Sequence, residues 1–384
     1  MYEFKPEWQI ALDDLCDRVV TIRDSVGEAW PYHCEPGTEE WDTTDDGDWC
    51  GGHWVECLRI AGELLGRQDL LDEAEERTER LRTYLERDDM FRAHRFYYSA
   101  ARQYAWTSRT KYRTLALAAA WAVRSMAMEA NGAMPIGTEV QVRSTQVFGR
   151  EKVCVDNVHP NLCLDWWAHR QTGDSTFIEG ARRHLDLTAR DFINDDGSTV
   201  EFIDYDPETG APGPHYTLLG AHDDSCWSRG QAWAVAGYLR AWEELGDARY
   251  LNIGSRLLGY WIGQTGPQGV PPWDFKDPAL LTDPDAVALD TSASAVVVEQ
   301  LARMAIRDTR DREARRVVGH LTPMVDGLLA HLTGRDDPSG LPPGILRNGC
   351  FNGPRKYADH SELIWGTAYL LFALYYLRTG RVVE

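Results

Sequence analysis

The chain has 384 residues, with 40 Lys and Arg against 60 Asp and Glu, a formal net charge of −20. That balance excludes nucleic acid and anionic membranes as partners, because both require basic patches, and an anionic ligand would need a locally positive pocket inside an acidic shell. No apolar run approaches a membrane span and the start MYEFKPEWQ lacks a basic-then-apolar leader, so a cytoplasmic protein is expected.

Hydrophobic periodicity predicts twelve amphipathic helices over 6–27, 49–66, 70–87, 92–107, 110–130, 157–172, 175–193, 225–245, 248–265, 290–306, 310–332 and 362–379. Few strands are expected; Val200 to Tyr205, followed by the turn Asp206-Pro207-Glu208-Thr209-Gly210, reads as one. The strings Leu65-Gly66-Arg67, Thr172-Gly173-Asp174 and Leu245-Gly246-Asp247 each end one helix with Gly and restart the next. Six such hairpins closed into a ring make an all-α (α/α)6 barrel, a single catalytic domain over 1–384, with 131–155, 195–224 and 266–289 as long rim loops. The even-numbered helices would lie inside. Their starts carry the unusual residues: Trp49 and His53 on the second, His94 and Arg95 on the fourth, Asp156 and Asn157 on the sixth, and Trp365 on the twelfth. Six helix N-termini facing one cavity would gather these residues in a field that favours an anion.

The eighth helix opens with Trp227-Ser228-Arg229-Gly230-Gln231-Ala232-Trp233, with Asp224 or Ser225 placed to cap it. Two indoles, a guanidinium and an amide suit a flat, polar, acidic sugar ligand. The alternative is a buried Trp pair with a salt-bridged Arg. Asp156 is the candidate catalytic carboxyl, since partial burial would hold it near neutral pKa; the competing role is an N-cap. His94 and Arg95 would bind a carboxylate or shuttle a proton, or else start a helix on the surface, while Asp290 and Glu362 read as caps or supports. Gly51-Gly52 would permit close approach of a substrate or a neighbouring helix. Eight cysteines lack any CxxC pair and read as reduced thiols, and metal, phosphate-loop, dinucleotide and Gly-x-Ser-x-Gly motifs are missing. Neither cofactor nor metal is expected.

With these residues in place, the chain resembles the unsaturated glucuronyl hydrolases of glycoside hydrolase family 88 and, more distantly, the unsaturated rhamnogalacturonyl hydrolases of family 105. The likeness runs from about Asp46 to the C-terminus and is sharpest at Trp227 to Trp233, Asp206 to Gly210, Val270-Pro271-Pro272-Trp273-Asp274-Phe275, Asp290 to Ala295 and Ile364-Trp365-Gly366. The resemblance implies an (α/α)6 barrel without cofactor, acting on an acidic oligosaccharide or sugar-derived small molecule. It also implies an aspartate, at Asp156, that protonates the enol ether of a 4,5-unsaturated uronic acid and then activates water. Two departures stand out. The family's His-Asp-(Ile/Leu)-Gly-Phe reads His94-Arg95-Phe96-Tyr97-Tyr98, and its Thr-His-Gln-Gly reads Thr217-Leu218-Leu219-Gly220, with His215 and His222 nearby but out of register. The first would put a new charge beside the reaction centre. It motivates the alternatives of a lyase-like or tailoring reaction on the same barrel, or of a saccharide-binding pseudoenzyme. A sugar epimerase would want paired histidines on inner helices, and the surroundings of His53 and His94 do not match one.

Overall fold

The computed structural model describes residues 3–38, 40–140, 142, 147–307 and 310–384. Among them lie twelve helices in hairpin order: α1 Pro6–Val26, α2 Gly51–Leu65, α3 Gln68–Arg80, α4 over 92–107, α5 Thr110–Arg124 and α6 Asn161–Thr172. The second half comprises α7 Ser175–Asp191, α8 Ser228–Leu245, α9 Ala248–Thr265, α10 Thr291–Ala305, α11 as Arg312–Val318 plus Leu321–Leu329, and α12 Ile364–Thr379. Each even-numbered helix packs on the next, and α12 packs on both α10 and α2, which closes the ring. The fold is the six-hairpin toroid.

Composition decides which helices go inside. In α12 every residue from Ile364 to Leu377 is buried, and in α8 every residue from Ser228 to Ala241. A helix apolar on all sides, as α12 nearly is, belongs in an interior, whereas α8 carries Arg229, Gln231 and Arg240 inside with bonded partners. Outer α3 buries only Leu70, Ala74, Arg77 and Thr78 and turns its acidic side to solvent. The hairpin turns follow the sequence motif: Gly66, Gly173 and Gly246 take left-handed φ of 65°, 73° and 67° at the helix ends. Asp174 and Asp247 then cap α7 and α9 through the N–H groups of Thr176 and Arg249.

Because these turns are short, the long connections all fall at the N-terminal ends of the inner helices. They fold into two small antiparallel sheets. One has the order β2 (Trp41–Thr44), β1 (Trp30–Cys34), β6 (Glu362–Leu363), and the other β3 (Lys152–Cys154), β4 (Phe202–Tyr205), β5 (Pro212–Tyr216). Only β4 was expected; the other strands are too short to show alternation. The helix read from 157 starts at Asn161, after a 3-10 turn over Val155–Val158, and that read from 225 starts at Ser228.

The ring's interior is layered. At the hairpin-turn end Arg102 bonds Glu56 at 2.9 Å and the Tyr376 hydroxyl at 2.7 Å, while Arg240 and Arg303 grip the Glu384 side chain. An aromatic layer lies above, with the Tyr98 hydroxyl donating to that of Tyr369 at 3.0 Å. In α4 the segment Tyr97–Ala101 is a π turn. Eight plain α-helical steps would rotate Arg102 by about 80° from His94, and the extra residue of the π turn brings them back to within about 20°. Both therefore point inward.

Candidate active site

A pocket with a cavity volume of about 60 Å³ lies at the end where the inner helices begin. Trp49, His94, Asp156, Trp227, Arg229 and Trp233 line it, so six of the eleven residues singled out from the sequence meet there. Asp156 sits in the 3-10 turn ahead of α6, where β3 delivers it, and Pro160 occupies the N-cap of that helix. It is therefore no helix cap. Its Oδ1 is buried and has no hydrogen-bond partner. Burial, together with the charge of Glu201 and against the pull of Arg229, pushes its pKa up to about 7.

Glu201 was not foreseen. The residue precedes β4, and its carbonyl accepts the Val155 N–H at 2.9 Å, which sets it across from Asp156. One oxygen is held by the Thr217 hydroxyl and by the N–H groups of Leu218 and Leu219, at 2.8 and 2.9 Å for the latter two; the other has no partner. Burial raises its pKa and those donors oppose the rise. A signal was present: Glu201 interrupts the apolar run Val200, Phe202, Ile203, and all four are buried.

His94 rests its Nδ1 at 3.0 Å from Asn161 Oδ1, leaving Nε2 unpartnered, and burial with the nearby His53 and His159 keeps it neutral, well below the usual histidine range. Trp49 donates to the Tyr32 hydroxyl at 3.1 Å. Arg229 stacks on Trp227, its Cζ 4.7 Å from the ring centroid, and is consumed by the wall: Nη1 reaches Asp290 at 2.5 Å and the Cys350 carbonyl at 2.7 Å, and Nη2 the Phe351 carbonyl at 2.8 Å.

Five sequence candidates do not reach the pocket. Arg95 is fully buried, paired with Asp89 at 2.8 Å, donating to the Asp48 carbonyl at 2.6 Å and lying 3.6 Å over Tyr84. It is absent from the pocket lining, its charge is paired with Asp89, and it is no surface residue either. His53 lies deeper, 3.2 Å from the Tyr369 hydroxyl, with burial lowering its pKa to about 3. Asn157 bridges the Met134 carbonyl and Asn161, which distinguishes it from Asp156. Gln231 donates to the carbonyls of Gly197 and Leu257. Trp365 supports Trp49 from beneath at 4.7 Å and donates to Ser292. Asp224 and Ser225 do not cap α8, since they bond His215 and Asp274. Asp290 does cap α10, through the Ser292 N–H, and Glu362 pairs with Arg18 at 2.6 Å. Among the described residues no cluster of three His, Cys, Asp or Glu is placed to hold a metal ion, and no helix is long and apolar enough to cross a membrane.

No family model matches the chain. It is 28% identical over 383 residues to the unsaturated glucuronyl hydrolase of Bacillus sp. strain GL1, with 97% of each chain covered. The crystal structure of that enzyme superposes with a TM-score of 0.85 at 27% identity, again over 97% of both chains. The chain is a homologue of the unsaturated glucuronyl hydrolases. It is also 29% identical over 219 residues to an unsaturated chondroitin disaccharide hydrolase of Streptococcus pneumoniae, a match that covers 56% of this chain and 53% of that protein.

Proposed function

We propose that the chain is a glycoside hydrolase that removes a 4,5-unsaturated uronyl residue from a saccharide by hydrating its enol ether. One observation carries the reading: a buried carboxyl, Asp156, faces the pocket with an unpartnered oxygen and a pKa of about 7. A general acid and base works best when its pKa lies near the working pH. In its acid form Asp156 gives its proton to C4. The carboxylate then takes a proton from a water that bonds to C5. The resulting hemiketal opens at its ring oxygen to a C5 ketone, which leaves a hemiacetal at C1; that hemiacetal collapses to an aldehyde and releases the neighbouring group as an alcohol, with one water consumed. The Trp49 and Trp227 rings offer flat faces for the sugar, and His94 Nε2 and Trp233 Nε1 are free to meet its hydroxyls. Arg229 holds the wall and leaves a residual positive field. A solved relative of 27% identity and TM-score 0.85 is described with dGlcA-Glc-Rha-Glc, which supports a saccharide of this class. A lyase-like or tailoring reaction on this barrel had its ground in Arg95, which lies outside the pocket.

The test is to incubate the protein with unsaturated glycosaminoglycan disaccharides and follow the ultraviolet absorbance of the conjugated enoate. Loss of absorbance with wild type and none with Asp156→Asn is the expected result. An absorbance that wild type leaves untouched across the series overturns the reading and favours a binding protein.

A further inference from the structure

Hydrogen bonds beneath the pocket floor give its polar atoms a direction. The Met134 carbonyl can only accept, so the Asn157 group that reaches it is the Nδ2 amide, and Asn157 Oδ1 is left to accept. That oxygen takes Asn161 Nδ2 at 2.8 Å, which turns Asn161 Oδ1 toward His94 Nδ1 at 3.0 Å. An amide oxygen facing a ring nitrogen requires that nitrogen to carry the proton. The groups facing His94 are His53 of α2, His159 ahead of α6 and its own neighbour Arg95. Burial first and then these groups disfavour its charge, against the pull of Asn161, so the ring is neutral. A neutral imidazole carries one ring proton, and with that proton on Nδ1 the Nε2 atom presents a lone pair.

This Nε2 is buried without a partner, and so is Trp233 Nε1, a group that can only donate. Both side chains line the pocket, their rings 6.0 Å apart and crossed at 80°. Buried polar atoms cost free energy until something bonds them. An acceptor beside a donor is satisfied by one hydroxyl, which gives its proton to the first and takes a hydrogen bond from the second.

We propose that His94 and Trp233 together read one ring hydroxyl of the unsaturated uronyl unit, and that Asn157 and Asn161 are positioning residues that hold His94 in the tautomer able to accept it. The proposal rests on the hydrolase reading above for its ligand and extends it to specificity. A 4,5-unsaturated uronyl ring carries hydroxyls at C2 and C3 alone, so the group that is read is one of those two.

Nitrogen NMR of the histidine rings, with His94 assigned through His94→Gln, tests the tautomer on the wild-type protein. We expect the proton on Nδ1 and a bare Nε2 between about pH 5 and 8; a proton on Nε2 overturns the proposal. The second measurement is kcat/KM for the 2-deoxy and 3-deoxy forms of a 4,5-unsaturated glucuronide beside the parent. One of the two should fall by roughly a hundredfold, because its loss strands two buried groups. If both stay within about threefold of the parent, as a bridging water would allow, the hydroxyl reading is wrong. The third is Asn161→Asp, which sets a carboxylate against Nδ1 and raises the His94 pKa. A ring charged below that raised value carries a proton on Nε2 and no longer accepts. Turnover by the variant should therefore fall as pH drops, where wild type stays level; a loss equal at every pH refutes the relay. Should Asn161→Asp not fold, the wild-type spectra and the deoxy pair decide. Turnover of no uronide at all sinks the hydrolase reading instead, and the spectra with calorimetry of the parent and deoxy glycosides still decide this one: weaker binding of one deoxy form supports it, and equal binding of both refutes it.

Discussion

Asp156 holds its proton because burial and the neighbouring Glu201 both disfavour its charge. A carboxyl whose pKa rises on folding costs stability above its unfolded value near 3.8, and the cost grows until pH passes about 7. Asp156→Asn removes that cost. We therefore expect the variant to melt no lower than wild type at pH 5 and higher than wild type at pH 8, while turnover falls by roughly a hundredfold or more. Thermal melts at the two pH values beside the enoate assay check both parts. Since the acid form starts the reaction, kcat/KM should be full below about pH 7 and fall above it. Glu201→Gln deletes the nearby charge and keeps an acceptor for the Leu218 and Leu219 amides. Its high-pH limb should move to lower pH, and a pH–rate profile with an unmoved limb refutes the coupling. Asp156 was legible through the family motif that falls on it rather than through its place ahead of an inner helix, since Asp290 and Glu362 stand in similar places. Glu201 was not, since sequence alone does not reveal that β3 and β4 are neighbours.

Helix α2 approaches α4 through Gly52, whose added Cβ would stand 2.4 Å from the Arg95 carbonyl and 2.7 Å from that of His94. Backbone cannot yield as a side-chain tip can. Gly52→Ala should force the helices apart and cost roughly 1–3 kcal/mol or more, read as a lowered denaturation midpoint together with weakened turnover. Of the two readings of Gly51-Gly52, the close neighbour at Gly52 is a helix. Also in α4, Arg95→Asp would bury a carboxylate against Asp89 and the Asp48 carbonyl. The expected outcome is loss of folded protein in circular dichroism rather than a switch of substrate. The twelve helices were readable because each repeats an apolar stripe or an apolar interior over at least three turns. Facing directions were harder: the π turn in α4 changes the phase after His94, and no residue type announces it. The β1–β2–β6 sheet escaped notice because two-to-five-residue strands from opposite ends of the chain carry no period of their own.

Across the whole molecule the pocket lies at one end of the ring and an ion-pair network at the other. Glu384 takes Arg240 and Arg303 with Arg170 and the Tyr97 hydroxyl, and although burial alone would raise its pKa, those arginines hold it well below the usual carboxylate range. Stability from this group is present above its unfolded pKa and lost only as pH falls through the depressed one. Glu384→Ala strands buried arginines, and we expect a loss of roughly 3–5 kcal/mol at neutral pH, shrinking in strong acid, by urea denaturation across pH. The ring itself was legible from counting hairpins; its closure is a matter of distant partners. Strand β1 pairs with β6 through His33 and Leu363, Arg18 meets Glu362, and Trp49 lies on Trp365. That seam joins residues more than 300 positions apart, so we expect it to form late, after the local hairpins. The pocket wall spans the seam. A chain that has completed five hairpins holds every described lining residue of the pocket except Phe351, and lacks the sixth hairpin that closes the ring around them. Ligand affinity and amide protection of β1 and β6 should emerge together in the slowest refolding phase, and a nascent chain stopped before Ile364 would expose the bare apolar side of α2 and α10 to the cell's quality control.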